Sequence, residues 1–378
     1  MPYTRLIPLV AWIAVLGLVV SAQETLIEES FRDWDKNKDN KLSKDELPNN
    51  AKRNFEIVDT DKSGFISLKE HIGYLIRDKG KRQQPRRSVE GYKVMRNISY
   101  AGTDNARQTL DLALPIKSTT DKLLPVVVFI HGGGWRGGSK DGGLNRICEF
   151  MKSGGYAGVS VGYRLSNEAK WPAQIHDCKA AIRWIKANAE KHGLDGDKIA
   201  VHGTSAGGHL VAMLGTSSGV KAMDGSIGHH KDKSTKVACV VDYFGPTNFL
   251  RMDDFESRIV HDAADSPEGL LIGGAIQDNK KKTLTADPIS YVTKDDSPFL
   301  IVHGTKDMAV PFNQSLILNA ALNEVGVPTA LLTVVDGRHG VGGGVLNKRL
   351  QNFFDSHLRG VEAAFKDESI PVGKTGRR

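Results

Sequence analysis

Cysteine is scarce in this chain. Three residues, Cys148, Cys178 and Cys239, serve 378 positions. They are odd in number, set in apolar patterns and never at Cys-x-x-Cys spacing. They exclude a disulfide framework and a thiolate metal centre and read as core residues, with one bridge between two of them left open. Aromatic residues make up only 7% of the sequence and nowhere interleave with clusters of Lys and Arg. The 51 basic against 44 acidic residues, a net charge of +7, therefore describe an ordinary basic surface and not a nucleic-acid interface. The first apolar run, 6–20, falls short of the roughly 20 residues that span a bilayer.

That run belongs to a leader. Arg5 supplies a positive start, 6–20 the apolar stretch, and Val20-Ser21-Ala22 a small-residue site before Gln23, the pattern of a secretory signal that is cleaved. No Cys follows it to carry a lipid. Residues 1–22 are expected to be a signal peptide, and the mature protein to be secreted or periplasmic without a membrane span.

Two loops then repeat one ligand pattern. Asp35, Asn37, Asp39, Ser43 and Glu46 place side-chain oxygens at the first, third, fifth, ninth and twelfth loop positions, and Asp59, Asp61, Ser63, Ser67 and Glu70 do so again. The seventh position adds a backbone carbonyl, from Lys41 and Phe65. Oxygen donors closed by a Glu that can bind through both oxygens suit Ca2+. Residues 23–78 are expected to form an EF-hand pair holding Ca2+ in a structural or tethering role, available to a protein or surface partner. A dockerin-like pair is the rival, disfavoured by Glu at the twelfth position. Asn40 stands where the sharp turn favours Gly, present as Gly64 in the second loop, which predicts a weaker first site. Residues 79–91, with Lys79, Lys81, Arg82, Arg86 and Arg87 around Pro85, read as a basic solvated linker.

The rest of the chain alternates strand and helix. Short Val- and Ile-rich runs at 126–130, 157–161, 198–201, 237–241, 299–302 and 330–335 look like buried parallel strands. Helical spacing occupies 171–192, 205–214, 313–325 and 346–358. Segments 92–100 and 108–114 alternate with no helix between them and predict an antiparallel edge pair. The fold class is α/β, a mostly parallel central sheet with helices on both faces over 92–362, preceded by the small all-α module and followed by a flexible tail at 363–378.

Two pentapeptides fit Gly-x-Ser-x-Gly, around Ser160 and around Ser205. Ser160 sits inside a β run, flanked by Val159 and Val161, with no helix start after it. Ser205, in Gly203-Thr204-Ser205-Ala206-Gly207, follows a strand and opens a helix, the context of a nucleophile elbow. A serine hydroxyl needs a base, an acid to orient the base, and donors for the oxyanion. His131-Gly132-Gly133-Gly134-Trp135 after the first parallel strand supplies an oxyanion loop, with the amides of Gly133, Gly134 and Ala206 as expected donors. Asp307, just past the strand at 299–302, is the expected acid, with Asp336 its rival. His339 is the expected base, in the chain order Ser, Asp, His. His202, His303 and His357 read as structural, and His209 lies on the elbow helix itself.

With these motifs, residues 95–360 resemble the α/β-hydrolases, in the branch of hormone-sensitive-lipase-like and acetyl-xylan or feruloyl esterases. Val161-Gly162-Tyr163-Arg164-Leu165, the segment from Trp171 to Asp177, and Val310-Pro311 with Gln314-Ser315 add to the likeness. The resemblance implies carboxylic-ester hydrolysis through an acyl-enzyme without a cofactor, on short acyl or feruloyl and acetyl esters of polysaccharide. The alternatives are a calcium-dependent binding or scaffold protein with an inactive hydrolase domain, and a serine peptidase. Segments 216–236 and 246–294 are expected to wall the site, with Trp135 and Trp171 as candidate substrate-facing aromatics.

Overall fold

The computed structural model describes residues 28, 31–52, 54–74, 89–152 and 154–374. The expected signal peptide, nearly all of the basic linker and residues 375–378 lie outside them. The chain divides into two compact units, Met1–Arg87 and Ser88–Arg378.

In the first unit, strands β1 (Lys41–Leu42) and β2 (Ile66–Ser67) pair antiparallel, one from each expected calcium loop. Leu42 and Ile66, at the eighth loop positions, are buried with Phe31, Leu47, Phe55 and Val58 in a small core. Asn40 does adopt the left-handed region, at φ 61°, as Gly64 does at φ 82°.

The second unit is built on nine strands, β3 (Tyr92–Ser99), β4 (Thr109–Pro115), β5 (Leu124–Ile130), β6 (Ala157–Val161), β7 (Leu194–Thr204), β8 (Cys239–Tyr243), β9 (Phe299–Gly304), β10 (Thr329–Val335) and β11 (Glu368–Pro371). Their order across the sheet is β11-β10-β9-β8-β7-β5-β6-β4-β3. β4 runs antiparallel to β3 and β6, forming the expected edge, and the remaining neighbours are parallel. The two-residue side-chain period explains why the runs are apolar throughout. Val126, Val128 and Ile130 enter one core with Leu210, Leu214 and Leu318, whereas Val127 and Phe129 enter the other with Ile147, Phe353 and Phe354. The first core is covered by helices α2 (Ala173–Ala187), α3 (Ala206–Thr216) and α5 (Asn313–Glu324), the second by α1 (Gly143–Met151) and α6 (Gly344–Arg359); α4 (Pro267–Ile272) precedes α5 in the chain.

Two boundaries differ from expectation. Val89, assigned to the linker, is buried in the second core, so the second unit begins before residue 92. The segment expected as a flexible tail contains β11, which adds a parallel strand beyond β10. Its apolar content is nearly confined to Ile370, buried at the edge, so no strand pattern shows in the sequence. Polar anchors hold it instead: Arg349 meets Glu368 through two nitrogens at 2.7 and 2.8 Å, and Asp367 accepts the Leu331 amide at 2.8 Å. All three cysteines are free thiols.

Candidate active site

Four strand ends deliver the groups singled out in the sequence. β5 leads into His131 to Trp135, β7 into Ser205, β9 into Asp307 and β10 into His339. Because these strands are parallel, the loops following them emerge at one edge of the sheet, where ligand sites of open α/β sheets gather. A cavity of about 790 Å3 there is lined by Gly133, Gly134, Ser205, Ala206 and His339, among others.

Ser205 sits at φ 57°, ψ −123°, a strained conformation for any side chain bearing a Cβ. It is enforced on both sides, since its amide donates to Tyr243 O at 2.8 Å and its carbonyl accepts from His209 N at 3.0 Å. The flanking glycines are dictated by space. A Cβ on Gly203 would lie 2.1 Å from Gly207 O, and one on Gly207 2.2 Å from Ile130 O. Gly132 is equally constrained, with a Cβ 2.5 Å from Thr204 O, so the glycine-rich loop packs directly on the elbow.

Asp307 is buried. Its Oδ1 accepts the amides of Ala309 and Val310 at 2.8 and 3.0 Å, and its Oδ2 accepts from His339 Nδ1 at 2.7 Å. His303 Nε2 lies 3.3 Å from the same Oδ2. Burial opposes ionisation of Asp307, but hydrogen bonds from His303 and His339 outweigh it and hold the carboxyl well below the usual carboxylate range. With Nδ1 donating to Asp307, Nε2 of His339 is left as the acceptor nitrogen. The His339 ring packs on Phe244 at 4.5 Å.

The competing residues are placed elsewhere. Ser160 is fully buried and donates to Lys140 O at 2.7 Å. Asp336 is exposed, at φ 61° and ion-paired with Lys306 at 2.8 Å. His202 is buried among Phe129, Phe150 and Tyr243, and His357 packs on Phe353 and Phe365.

His209 acts as a clamp. Trp135 Nε1 donates to its Nδ1 at 3.2 Å, so Nε2 carries the proton and donates to Ala286 O at 2.6 Å. Burial holds this imidazole neutral, its pKa lowered to about 4 despite the Ala286 carbonyl. Trp135, 1% exposed, borders the cavity from within this packing, and Trp171, 2% exposed, donates to Thr285 Oγ1. Neither stands out as a free substrate platform, and Trp171 is not among the cavity-lining residues. Of the expected walls, 246–294 contributes Pro246, Ile259, Pro267 and Glu268, while no residue of 216–236 lines the cavity.

Three features escaped the sequence reading. His303 is a partner of Asp307 and not merely a strand-end residue. A hydrogen-bonded chain runs from the buried Glu268 through the buried His261 (2.9 Å) to the half-buried Ser257 (3.1 Å), whose Oγ also lies 3.2 Å from Met308 O, tying the wall to the peptide after Asp307. Arg136 and Arg146 also line the cavity. Only the carboxylate near an imidazole leaves a sequence trace, as His303 in His303-Gly304-Thr305-Lys306-Asp307. The segments Tyr163-Arg164-Leu165 and His176-Asp177 are joined by an ion pair between a half-buried Arg164 and a buried Asp177, with Arg164 Nη2 on Asp177 Oδ1 at 2.8 Å.

In the front unit, carboxylate oxygens of Asp59, Asp61 and Glu70 lie within 4.8 Å of one another. Asp59 accepts the amides of Ser63 and Gly64, and Glu70 those of Thr60, Asp61 and Ser67. Desolvation of Glu70 is outweighed by the Ser67 and Thr60 donors, which lower its pKa to about 2. The first loop repeats the arrangement, with Asp35 accepting from Asp39 and Asn40, and Glu46 from Asn37 and Ser43. Clustered, ionised oxygen donors fit a hard divalent cation.

Comparison with known proteins places both units among known families. Residues 27–48 and 53–70 match the EF hand model, and residues 110–322 match the BD-FAE model. The chain is 32% identical over 227 residues to Esterase LipC of Mycobacterium tuberculosis, covering 59% of this chain and 54% of that protein. It thus spans about half the length of the curated relatives it matches. A solved truncated carbohydrate esterase from gut microbiota superposes with a TM-score of 0.67 at 31% identity, over 72% of this chain and 99% of that one. A bifunctional GH43-CE protein of Bacteroides eggerthii gives 0.65 at 34%, over 70% and 35%. With more than half its residues matched by that model and its strand-end loops converging on one cavity, this chain belongs to the BD-FAE family of α/β-hydrolases.

Proposed function

We propose that this protein is a carboxylic-ester hydrolase using Ser205, His339 and Asp307. The observation that carries the reading is the convergence on one cavity of a strained Ser205, a His339 oriented by Asp307 at 2.7 Å, and the Gly133-Gly134 loop. Nε2 of His339 takes the Ser205 proton as the hydroxyl attacks the ester carbonyl, and ionised Asp307 stabilises the imidazolium. The amides of Gly133, Gly134 and Ala206 hold the oxyanion, the last with the help of the α3 N-terminus. The alcohol leaves with the proton from His339, and water, activated by the same nitrogen, releases the acid from the acyl-enzyme.

The carbohydrate-esterase neighbours support acetyl or feruloyl esters of polysaccharide as substrates, and the leader pattern supports export. The EF-hand loops would hold Ca2+ through Asp35, Asn37, Asp39, Ser43 and Glu46 and through Asp59, Asp61, Ser63, Ser67 and Glu70, with the Lys41 and Phe65 carbonyls. Such an ion would cross-link each loop, away from the ester chemistry. No described helix is long and apolar enough to cross a membrane. Hydrolysis of 4-nitrophenyl acetate by the wild type and a loss of about 10^4-fold or more in kcat for Ser205→Ala are expected. Ser160→Ala is the control, and a Ser205→Ala enzyme within tenfold of wild type would sink the assignment.

A further inference from the structure

Between Arg136 and Arg146 the chain carries three cations, and they meet different fates. Lys140 is buried, and its ammonium is held by Asp111 at 2.6 Å and by Asn97 Oδ1 at 2.7 Å. That charge is neutralised inside the fold. Arg136 and Arg146 are exposed and line the cavity beside Ser205. Among the described residues, neither guanidinium has an ion-pair or side-chain hydrogen-bond partner.

The other ionisable groups that line the cavity do not balance them, and Asp141, which is not among the lining residues, lies 3.8 Å from Lys140 Nζ. Glu268 is buried, 2% exposed, and its carboxylate is engaged by His261 at 2.9 Å. His131 is stacked on Tyr163 at 4.2 Å, and burial holds it neutral, with a pKa of about 4. His339 is committed to Asp307. Two fixed positive charges therefore face a concave site, where low-dielectric walls focus their field. Arg136 also lies beside the glycine loop, since a Cβ on Gly134 would be 3.9 Å from its Cγ and 3.2 Å from Pro267 Cβ. A guanidinium fork matches the planar oxygens of a carboxylate and the tetrahedral oxygens of a sulfate. A neutral ester makes no use of either.

We propose, resting on the ester-hydrolase reading above, that Arg136 and Arg146 select acyl esters of acidic saccharides, whose carboxylate or sulfate groups they bind next to the ester under attack. The test compares methyl 4-acetoxybenzoate, 4-acetoxybenzoate and 4-acetoxybenzenesulfonate, each kcat/KM divided by the hydroxide-catalysed rate of the same ester. The wild type should prefer the anionic esters by on the order of tenfold, mainly through KM. The preference should shrink as NaCl rises from about 20 to about 500 mM. In the Arg136→Gln, Arg146→Gln double variant, with its melting temperature checked, the ratio of anionic to neutral should fall to about one. Preference for the carboxylate alone assigns a uronate, and for the sulfonate alone a sulfated sugar. An O-acetylated oligogalacturonide against its methyl-esterified form repeats the comparison on a saccharide. Equal normalised rates for neutral and anionic esters in the wild type, or a preference that survives the double substitution, would overturn the proposal. Hydrolysis of none of the three esters would instead remove the ester-hydrolase reading beneath it.

Discussion

In the front unit a candidate site is written in twelve consecutive residues, and the carboxylates of Asp59, Asp61 and Glu70 are brought together by one turn. In the second unit, Gly133, Ser205, Asp307 and His339 span more than half the sequence, and four parallel strands bring their loops to one edge. A local site is tuned by backbone conformation and loop ligands. A distributed site is tuned by the sheet that brings its members together. The two should therefore respond differently to single substitutions and to removal of calcium.

The largest effect is expected where the distributed site is interrupted. Asp307→Asn should lower kcat on 4-nitrophenyl acetate by about 10^3- to 10^4-fold, because the amide reverses the hydrogen-bonding partner offered to His339 Nδ1. A loss below tenfold would break the idea that these separate loops act as one unit.

Stability of the second unit should carry a pH signature. Asp242 and Asp287 are buried, and desolvation raises each pKa to about 7, against the Gly245 and Phe249 amides that accompany them. In the unfolded chain both ionise near pH 3.9. Between about pH 4 and about pH 7 these two carboxyls bind more protons in the folded state than in the unfolded one and so lower the unfolding free energy as pH rises, whereas His131 and His209, held neutral in the fold with pKa about 4, act in the opposite sense up to about pH 6.5. Asp242→Asn removes one such carboxyl, so the stability of the variant relative to wild type should rise by up to a few kcal/mol from about pH 4 to about pH 7, read from urea melts of both at several pH values. A difference that does not change with pH would mean that the carboxyl is ionised in the fold.

For the local site, Glu70→Gln should weaken calcium binding to the second loop by about tenfold or more in calorimetry. Chelation with EDTA should leave kcat/KM on a small ester within about twofold, in keeping with a structural ion. A tenfold drop on chelation would show that the two units are coupled. The smallest effect concerns Asn40, held at φ 61°. Asn40→Gly should tighten the first loop by about 0.5 to 1 kcal/mol, narrowing the gap to the second.

The same division explains what could be read from the amino acids. The calcium loops are legible because their spacing is the site. The parallel strands are legible because burial on both faces leaves runs such as Val126 to Ile130 without polar interruption. The context that separates Ser205 from Ser160, a strand before and a helix after, is equally local. Long-range relations were not legible. Nothing in periodicity says that His303 approaches Asp307, that His209 clamps Trp135, or that Arg136 and Arg146 turn toward one cavity while Lys140 turns to Asp111. β11 was missed for a related reason: its stability comes from Arg349 and Leu331, far away in the sequence, and not from its own composition.

That last strand has a practical side. Glu368 to Pro371 cover the edge of β10, and a sheet edge stripped of its neighbour offers a row of free amide and carbonyl groups to any other chain. Shortening the protein at residue 362, the end expected for the α/β unit from its sequence, would turn a finished edge into an adhesive one. Expression boundaries for the catalytic unit belong beyond Pro371.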